Sequence, residues 1–260
     1  MAGMCGRFAV TTDPALLAQK IQALDESTAT AAASAAQKDQ GPNYNVAPTT
    51  AISAVVKRHT EPDDQSTRRV RTMRWGLVPP WAKTGPDGGP DTKGPLLINA
   101  RADKVVQSPA FRSSAKHKRC LIPMDGWYEW RGEKTPKTPF YMYAADGEPL
   151  FMAGLWSTWR PKSGDTPEDA PPLLSATIIT TDAAGPLARI HDRMPLTISA
   201  ADWDRWMDPD APIDEGLLRG HGDLDRIAIR EVSTLVNNIR NNGPELIEPA
   251  QPEPEQAELF

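Results

Sequence analysis

Five stretches rich in β-branched and aromatic residues, Ala51 to Lys57, Val70 to Gly76, Phe140 to Ala144, Leu150 to Trp156 and Leu173 to Thr181, succeed one another with turn residues between them and no regular interleaving of helices. Parallel strands need a long crossover, usually a helix, between each pair. The order therefore excludes a repeating βαβ fold. It predicts an α+β protein with a mainly antiparallel, curved, β-barrel-like core and peripheral helices. Two helical patterns fit outside that core. Asp13 to Leu24 carries Leu16, Leu17, Ile21 and Leu24 behind a Thr-Asp-Pro start, and Ser199 to Met207 places a Ser cap before Trp203, Trp206 and Met207.

At 260 residues the chain can bury a substantial core without disulfide staples. Its polar interruptions at Ser27 to Gln37, His59 to Arg69, Lys83 to Gly94 and Arg160 to Pro172 separate pieces too short to bury cores of their own. A single domain over residues 5–248 is expected, with surface insertions near 27–40 and 83–94. Residues 1–4 read as an N-terminal extension or propeptide, and 249–260 as an acidic, disordered tail. No internal repeat is present.

Net charge is −5, and Glu245, Glu248, Glu253, Glu255 and Glu258 at the C-terminal end account for all of it. Between Asn99 and Phe140, nine basic residues stand against four acidic ones. Such a stretch is either a solvated face or a surface that tracks phosphates. The two cysteines, Cys5 and Cys120, are too few for a disulfide framework. Neither a signal peptide nor a membrane-length apolar run is seen, so a cytoplasmic protein is expected. With no clustered metal-ligand motif and no glycine-rich nucleotide loop, neither a metal nor a cofactor is indicated.

The segment Met4-Cys5-Gly6-Arg7-Phe8 changes chemistry if Cys5 becomes the first residue. A terminal cysteine offers an amine of pKa ~8 beside a thiol of ~8.5. That pair condenses with an aldehyde to an iminium and closes on it through sulfur as a thiazolidine. The plainer alternative is a buried or frayed cysteine near a chain start.

Four further segments carry more polar and aromatic content than a core element needs. In Leu97-Ile98-Asn99-Ala100-Arg101 an apolar strand delivers an amide and a guanidinium, which can orient a substrate and hold a phosphate, or simply cap a strand end. In Asp125-Gly126-Trp127-Tyr128-Glu129-Trp130, a carboxylate among aromatics should hold its proton toward neutral pH, although strand alternation also allows an outward Glu129. Trp130 can stack on an unpaired base or fill a core. Arg189-Ile190-His191-Asp192-Arg193 sets a histidine between arginines and beside an acid, which suits a proton shuttle or a structural residue. Arg74-Trp75-Gly76-Leu77-Val78-Pro79-Pro80-Trp81 runs a strand into a rigid turn, with Trp81 available as a groove wall.

Taken together, and with Asn45-Val46-Ala47-Pro48 and Glu245-Leu246-Ile247, these motifs resemble, in order, those of the SOS-response-associated peptidase family, the abasic-site processing proteins. The resemblance spans Cys5 to about Glu248. It implies a β-barrel-like fold and an abasic-site sensor whose N-terminal Cys5 forms a thiazolidine crosslink to single-stranded DNA, guarding the lesion against strand breakage. It further implies that Asn99 orients the sugar and the amine, and that Glu129 and His191 are the acid/base pair. Arg101 is the implied phosphate contact, with Arg7, Trp130, Trp81 and Arg193 as further DNA-binding candidates. Lyase activity, self-removal of residues before the cysteine, a nucleoid location and a link to the replication machinery also come with the family. One departure stands out. Met1-Ala2-Gly3 precede Met4, so Cys5 is free only if translation begins at Met4 or the extension is removed. The rival readings are a cysteine-type peptidase acting on other proteins and a non-covalent single-strand-binding module.

Overall fold

The computed structural model describes residues 5–29, 41–61, 63–91, 93–132, 137–161 and 171–251. Two sheets dominate it. In the first, β1 (Arg7–Val10), β3 (Asn43–Val46), β8 (Gly126–Arg131), β9 (Thr138–Ala144) and β13 (Ile227–Glu231) run in the order β13-β9-β8-β1-β3. The second contains β2 (Leu24–Asp25), β4 (Ala51–Arg58), β5 (Thr67–Trp75), β7 (Arg119–Met124), β10 (Leu150–Trp159), β11 (Leu173–Asp182) and β12 (Arg193–Pro195), in the order β12-β11-β10-β7-β4-β5-β2. A short parallel pairing of β11 with β5, Ser175 opposite Arg74 and Ala176 opposite Trp75, bends β11-β10-β7-β4-β5 into a ring. The ring is not a true barrel, because β11 also takes β6 (Asn99–Arg101) as a parallel neighbour.

The expected antiparallel, barrel-like α+β architecture is thus the observed one. Its central core fills the space between the ring and the first sheet, joining Ile52, Ala54, Val56, Met73, Cys120, Ile122 and Trp156 to Phe8, Trp127 and Met142. The other face of the ring packs Val55, Val70, Leu121, Phe151 and Leu155 against the helices α1 (Pro14–Lys20), α2 (Arg112–His117) and α3 (Trp203–Met207). Gly126 has no room for a side chain, since a Cβ there would lie 2.3 Å from the Met142 carbonyl oxygen. That close approach fixes β8 against β9.

Several boundaries differ from expectation. The first helix stops at Lys20 rather than Leu24, because Gln22 takes φ 54° and Leu24 pairs with Arg69 on β5. The segment from Ser199 begins as a 3₁₀ turn and becomes α-helical only at Trp203. Ser27, read as the start of an insertion, is buried and its carbonyl accepts from Thr72 Oγ1 at 2.8 Å. Most of that insertion, residues 1–4 and the last nine residues lie outside the described residues. The tail is held slightly beyond 248, with Pro249 bridged to Val232 and Ala250 N–H donating to Glu231 O at 2.9 Å. Among the described residues, no helix is long and apolar enough to cross a membrane.

Arg119 shows how the ring is tied to its helices. Its guanidinium is buried and donates to the carbonyls of Trp206, Ala115, Lys116, Asp208 and Ala211, most of them at helix ends that would otherwise be unsatisfied. Arg119→Met keeps the apolar stem and strands those acceptors. Urea denaturation should show a loss of about 3 kcal/mol.

Candidate active site

Cys5 and Glu129 meet in the first sheet and His191 is close enough to influence that carboxylate, while Asn99 and Arg101 lie on β6 beside β11. Cys5 sits one turn before β1, 1% exposed and packed into the central core. Its φ of 38° is unusual for a non-glycine residue and marks a constrained backbone. The antiparallel register of β1 on β8, Arg7 opposite Tyr128 and Phe8 opposite Trp127, brings the chain start alongside Glu129. The Cys5 N–H donates to Glu129 Oε2 at 2.9 Å.

Glu129 is 4% exposed. Strand alternation puts it on the side of Trp127, and that side faces the central core, not solvent; Tyr128 on the opposite side is buried in a second aromatic cluster. Burial raises the Glu129 pKa, opposed by the Cys5 N–H, the His191 imidazole, the Trp130 N–H and the Lys137 ammonium. The Cys5 thiol is pushed well up by burial and by the neighbouring carboxylate, so it rests protonated.

His191 follows a 3₁₀ turn over Gly185–Arg189, and its ring is mostly buried. Nδ1 accepts from the Arg193 N–H at 3.0 Å and lies 2.8 Å from Asp192 Oδ1. One lone pair cannot accept and donate together. The neutral ring therefore bonds to Arg193 and carries its proton on Nε2, whereas a protonated Nδ1 turns to Asp192.

Asn99 lies on β6 opposite Ile178, next to Ile98, which packs against the same core as Cys5. It lines a groove of about 420 Å³ with Arg101, Lys104, Gln107, Ser108 and Phe111. Arg101 is exposed and makes a two-pronged contact with Asp103, Nε and Nη2 each 3.0 Å from a carboxylate oxygen. Arg193 is buried, bonded to Asp182 and to the Thr180 carbonyl. Arg7 is turned inward as well: its Nη1 donates to Asn45 Oδ1 at 2.7 Å and to Val236 O at 3.0 Å. Trp130 is half-buried, with Nε1 donating to Asn237 Oδ1 at 2.7 Å. Trp81 is 58% exposed and stands apart, on the loop whose Ala82 carbonyl accepts from Trp159 at the far end of β10.

Sequence reasoning gave no role to Asn45 or Asn237. Asn45 Nδ2 reaches the carbonyls of Val236, Asn238 and Asn241, clamping the C-terminal segment beside Arg7. A buried amide in the Asn45-Val46-Ala47-Pro48 motif was the available signal. Among the described residues, no three His, Cys, Asp or Glu side chains converge as metal ligands.

The raised Glu129 pKa has a stability consequence. A carboxyl that holds its proton more tightly when folded stabilises the fold below the ordinary glutamate range and loses that contribution as pH rises through the raised folded value. Glu129→Gln keeps an acceptor for Cys5 without the titration. Urea unfolding from pH 4 to 8 should show a shallower decline for the variant, which should exceed wild type in stability at the upper end.

The family model described as SOS response associated peptidase (SRAP) matches residues 4–239. The abasic site processing protein YoqW of Bacillus subtilis is 37% identical over 212 residues, covering 80% of this chain and 86% of that protein. The abasic site processing protein YedK of Escherichia coli is 33% identical over 213 residues, covering 79% and 84%. A crystal structure of a Bacteroides thetaiotaomicron protein shares the fold with a TM-score of 0.76 at 23% identity, covering 95% of this chain and all of that one. On the length of the family match and the identity to these relatives, the chain belongs to the SOS response associated peptidase family.

Proposed function

We propose that the protein processes abasic sites in single-stranded DNA by covalent capture through Cys5. The observation that carries this reading is the buried Cys5 nitrogen held 2.9 Å from the Glu129 carboxylate, which His191 also influences. The names of the relatives point to the same lesion.

Once Cys5 bears a free amine, its lone pair attacks the C1′ aldehyde of the ring-opened sugar. Glu129 takes the amine proton, and a proton returned from Glu129 or His191 expels the carbinolamine hydroxyl as water, leaving an iminium. The resting thiol is neutral, so Glu129 must next accept its proton as sulfur adds to the iminium carbon. The product is a thiazolidine. Closing the ring removes the electron-poor carbon that would otherwise promote loss of the 3′ phosphate by β-elimination. Asn99 and Arg101, which share one groove, would orient the sugar and its phosphate. Arg101 would do so by exchanging Asp103 for a phosphate oxygen. Half-buried Trp130 is a further proposed DNA contact and exposed Trp81 a more distant one, whereas Arg7 and Arg193, bound to internal carbonyls, shape the surface from within.

Self-removal of the residues before Cys5 is favoured by the same geometry. The nitrogen of the Met4–Cys5 bond faces Glu129, which can protonate it as the leaving amine when the Cys5 thiol attacks the Met4 carbonyl. Water then releases the peptide from the resulting thioester. The φ of 38° at Cys5 strains the bond's neighbourhood.

Cys5→Ala should abolish any adduct with abasic single-stranded DNA that survives denaturant, while leaving reversible binding of an undamaged strand nearly unchanged; a persisting adduct refutes capture through Cys5. Glu129→Gln and His191→Ala should slow adduct formation by ~10²- to 10⁴-fold without comparable loss of binding. Intact mass should show wild-type chains beginning at Cys5. Cys5→Ala chains that retain the extension mark self-cleavage, and active chains still carrying it overturn the thiazolidine.

A further inference from the structure

Arg58 ends β4, and Lys118 directly precedes β7. The antiparallel register of these strands, Val55 opposite Leu121 and Val56 opposite Cys120, sets Arg58 across from Lys118 when continued by two residues. Both lie on the inward side of the ring, with Val56 and Cys120. The next strand brings Trp156 level with them, its N–H donating to Lys118 O at 2.9 Å. Arg58 Cζ is 5.3 Å and Lys118 Nζ 5.1 Å from the Trp156 ring centre. Trp156 is buried and forms a floor, and Lys118 Nζ donates to Thr158 Oγ1 at 3.0 Å.

Like charges opposed across a strand pair are destabilising. Neighbouring cations on these strands are neutralised: Lys57 and Arg68 share Asp204, while Arg69 and Arg71 share Glu26. Among the described residues, neither Arg58 nor Lys118 has a carboxylate within ion-pair distance. Burial and the Arg58 charge together lower the Lys118 pKa, as expected of two cations without a counter-ion. The face of the indole offsets part of the repulsion.

We propose that Arg58, Lys118 and Thr158, above the Trp156 ring, form a phosphate-binding site separate from the Cys5–Glu129 site. A guanidinium fork, an ammonium and a hydroxyl match the tetrahedral oxygens of a phosphate, whether free or within a nucleic-acid strand. The separation follows from β11. Ala176 pairs with Trp156 at one end of the ring, and Asp182 pairs with Arg193 at the other. Those six residues of strand span about 20 Å.

The test uses the full chain carrying Cys5→Ala, so it does not depend on covalent capture. Inorganic pyrophosphate, and separately an undamaged oligothymidylate, are titrated at matched ionic strength by calorimetry and thermal melting. Pyrophosphate should bind saturably and raise the melting temperature. Arg58→Gln and Lys118→Met should each weaken that binding about tenfold, yet melt no lower than the parent without ligand, because repulsion is relieved. Arg58→Lys, which keeps the charge, serves as a second variant should Arg58→Gln fold poorly, and should bind more tightly than Lys118→Met. If the oligonucleotide displaces pyrophosphate and loses affinity in the same variants, the site serves a strand; if only pyrophosphate binds there, it serves a small phosphate compound. Either result upholds the site. Equal pyrophosphate affinity in parent and variants, or no saturable binding of either probe, overturns it.

Discussion

The contact between the Cys5 nitrogen and the Glu129 carboxylate joins positions 124 residues apart and organises the rest of the molecule. A carboxylate in an apolar interior is costly unless hydrogen bonds and opposite charge offset its lost hydration. Here the offset comes from separate parts of the chain: Cys5 and Trp130 supply N–H donors, and the His191 and Lys137 side chains lie near enough to favour the ionised acid. The first sheet fixes the acid through the β1–β8 register and the tight seat of Gly126. The second sheet delivers the histidine through the pairing of β11 with β12. A site shared by two sheets in this way exists only when both are formed and packed.

Around that pair lies a frame of amides and guanidinia. Asn45 holds three carbonyls of the segment 236–241, Arg7 shares Asn45 and Val236, and Asn237 fixes the Trp130 indole. On the other side, Asp103 links exposed Arg101 with buried Arg193. The two arginines nearest the proposed chemistry therefore differ in kind. Arg101 can trade its carboxylate for a phosphate at the surface, whereas removing Arg193 or Arg7 would leave buried acceptors stranded.

The strands legible in the sequence were the long ones. β4, β5, β9, β10 and β11 have seven to ten residues each, enough for β-branched and aromatic enrichment to stand out. β6 and β12 have three residues and are strands only because β11 lies beside them. β7 is buried at every position, so it shows no alternation and reads simply as core. Alternation correctly placed Glu129 with Trp127. It could not say which side was inward, because both sides of β8 are covered. The family resemblance made Arg7 and Arg193 candidate DNA contacts, but a guanidinium bound to internal carbonyls and one awaiting a phosphate look alike in sequence. Motif order carried what periodicity could not, since Cys5, Glu129 and His191 share no local pattern and meet only through tertiary packing.

Burial of Cys5 also sets a clock. In the finished fold its nitrogen is covered by a strand ending at Arg131, and at roughly 5–20 residues per second that strand leaves the ribosome on the order of ten seconds after the chain start. An external aminopeptidase acting on residues ahead of Cys5 meets an open chain only within that interval. Afterwards the Cys5 nitrogen is enclosed beside Glu129. Under the proposed capture chemistry, translation rate would bear on how the nucleophile is freed, a dependence on timing that arises because the first described residue of the chain is also among its most deeply buried.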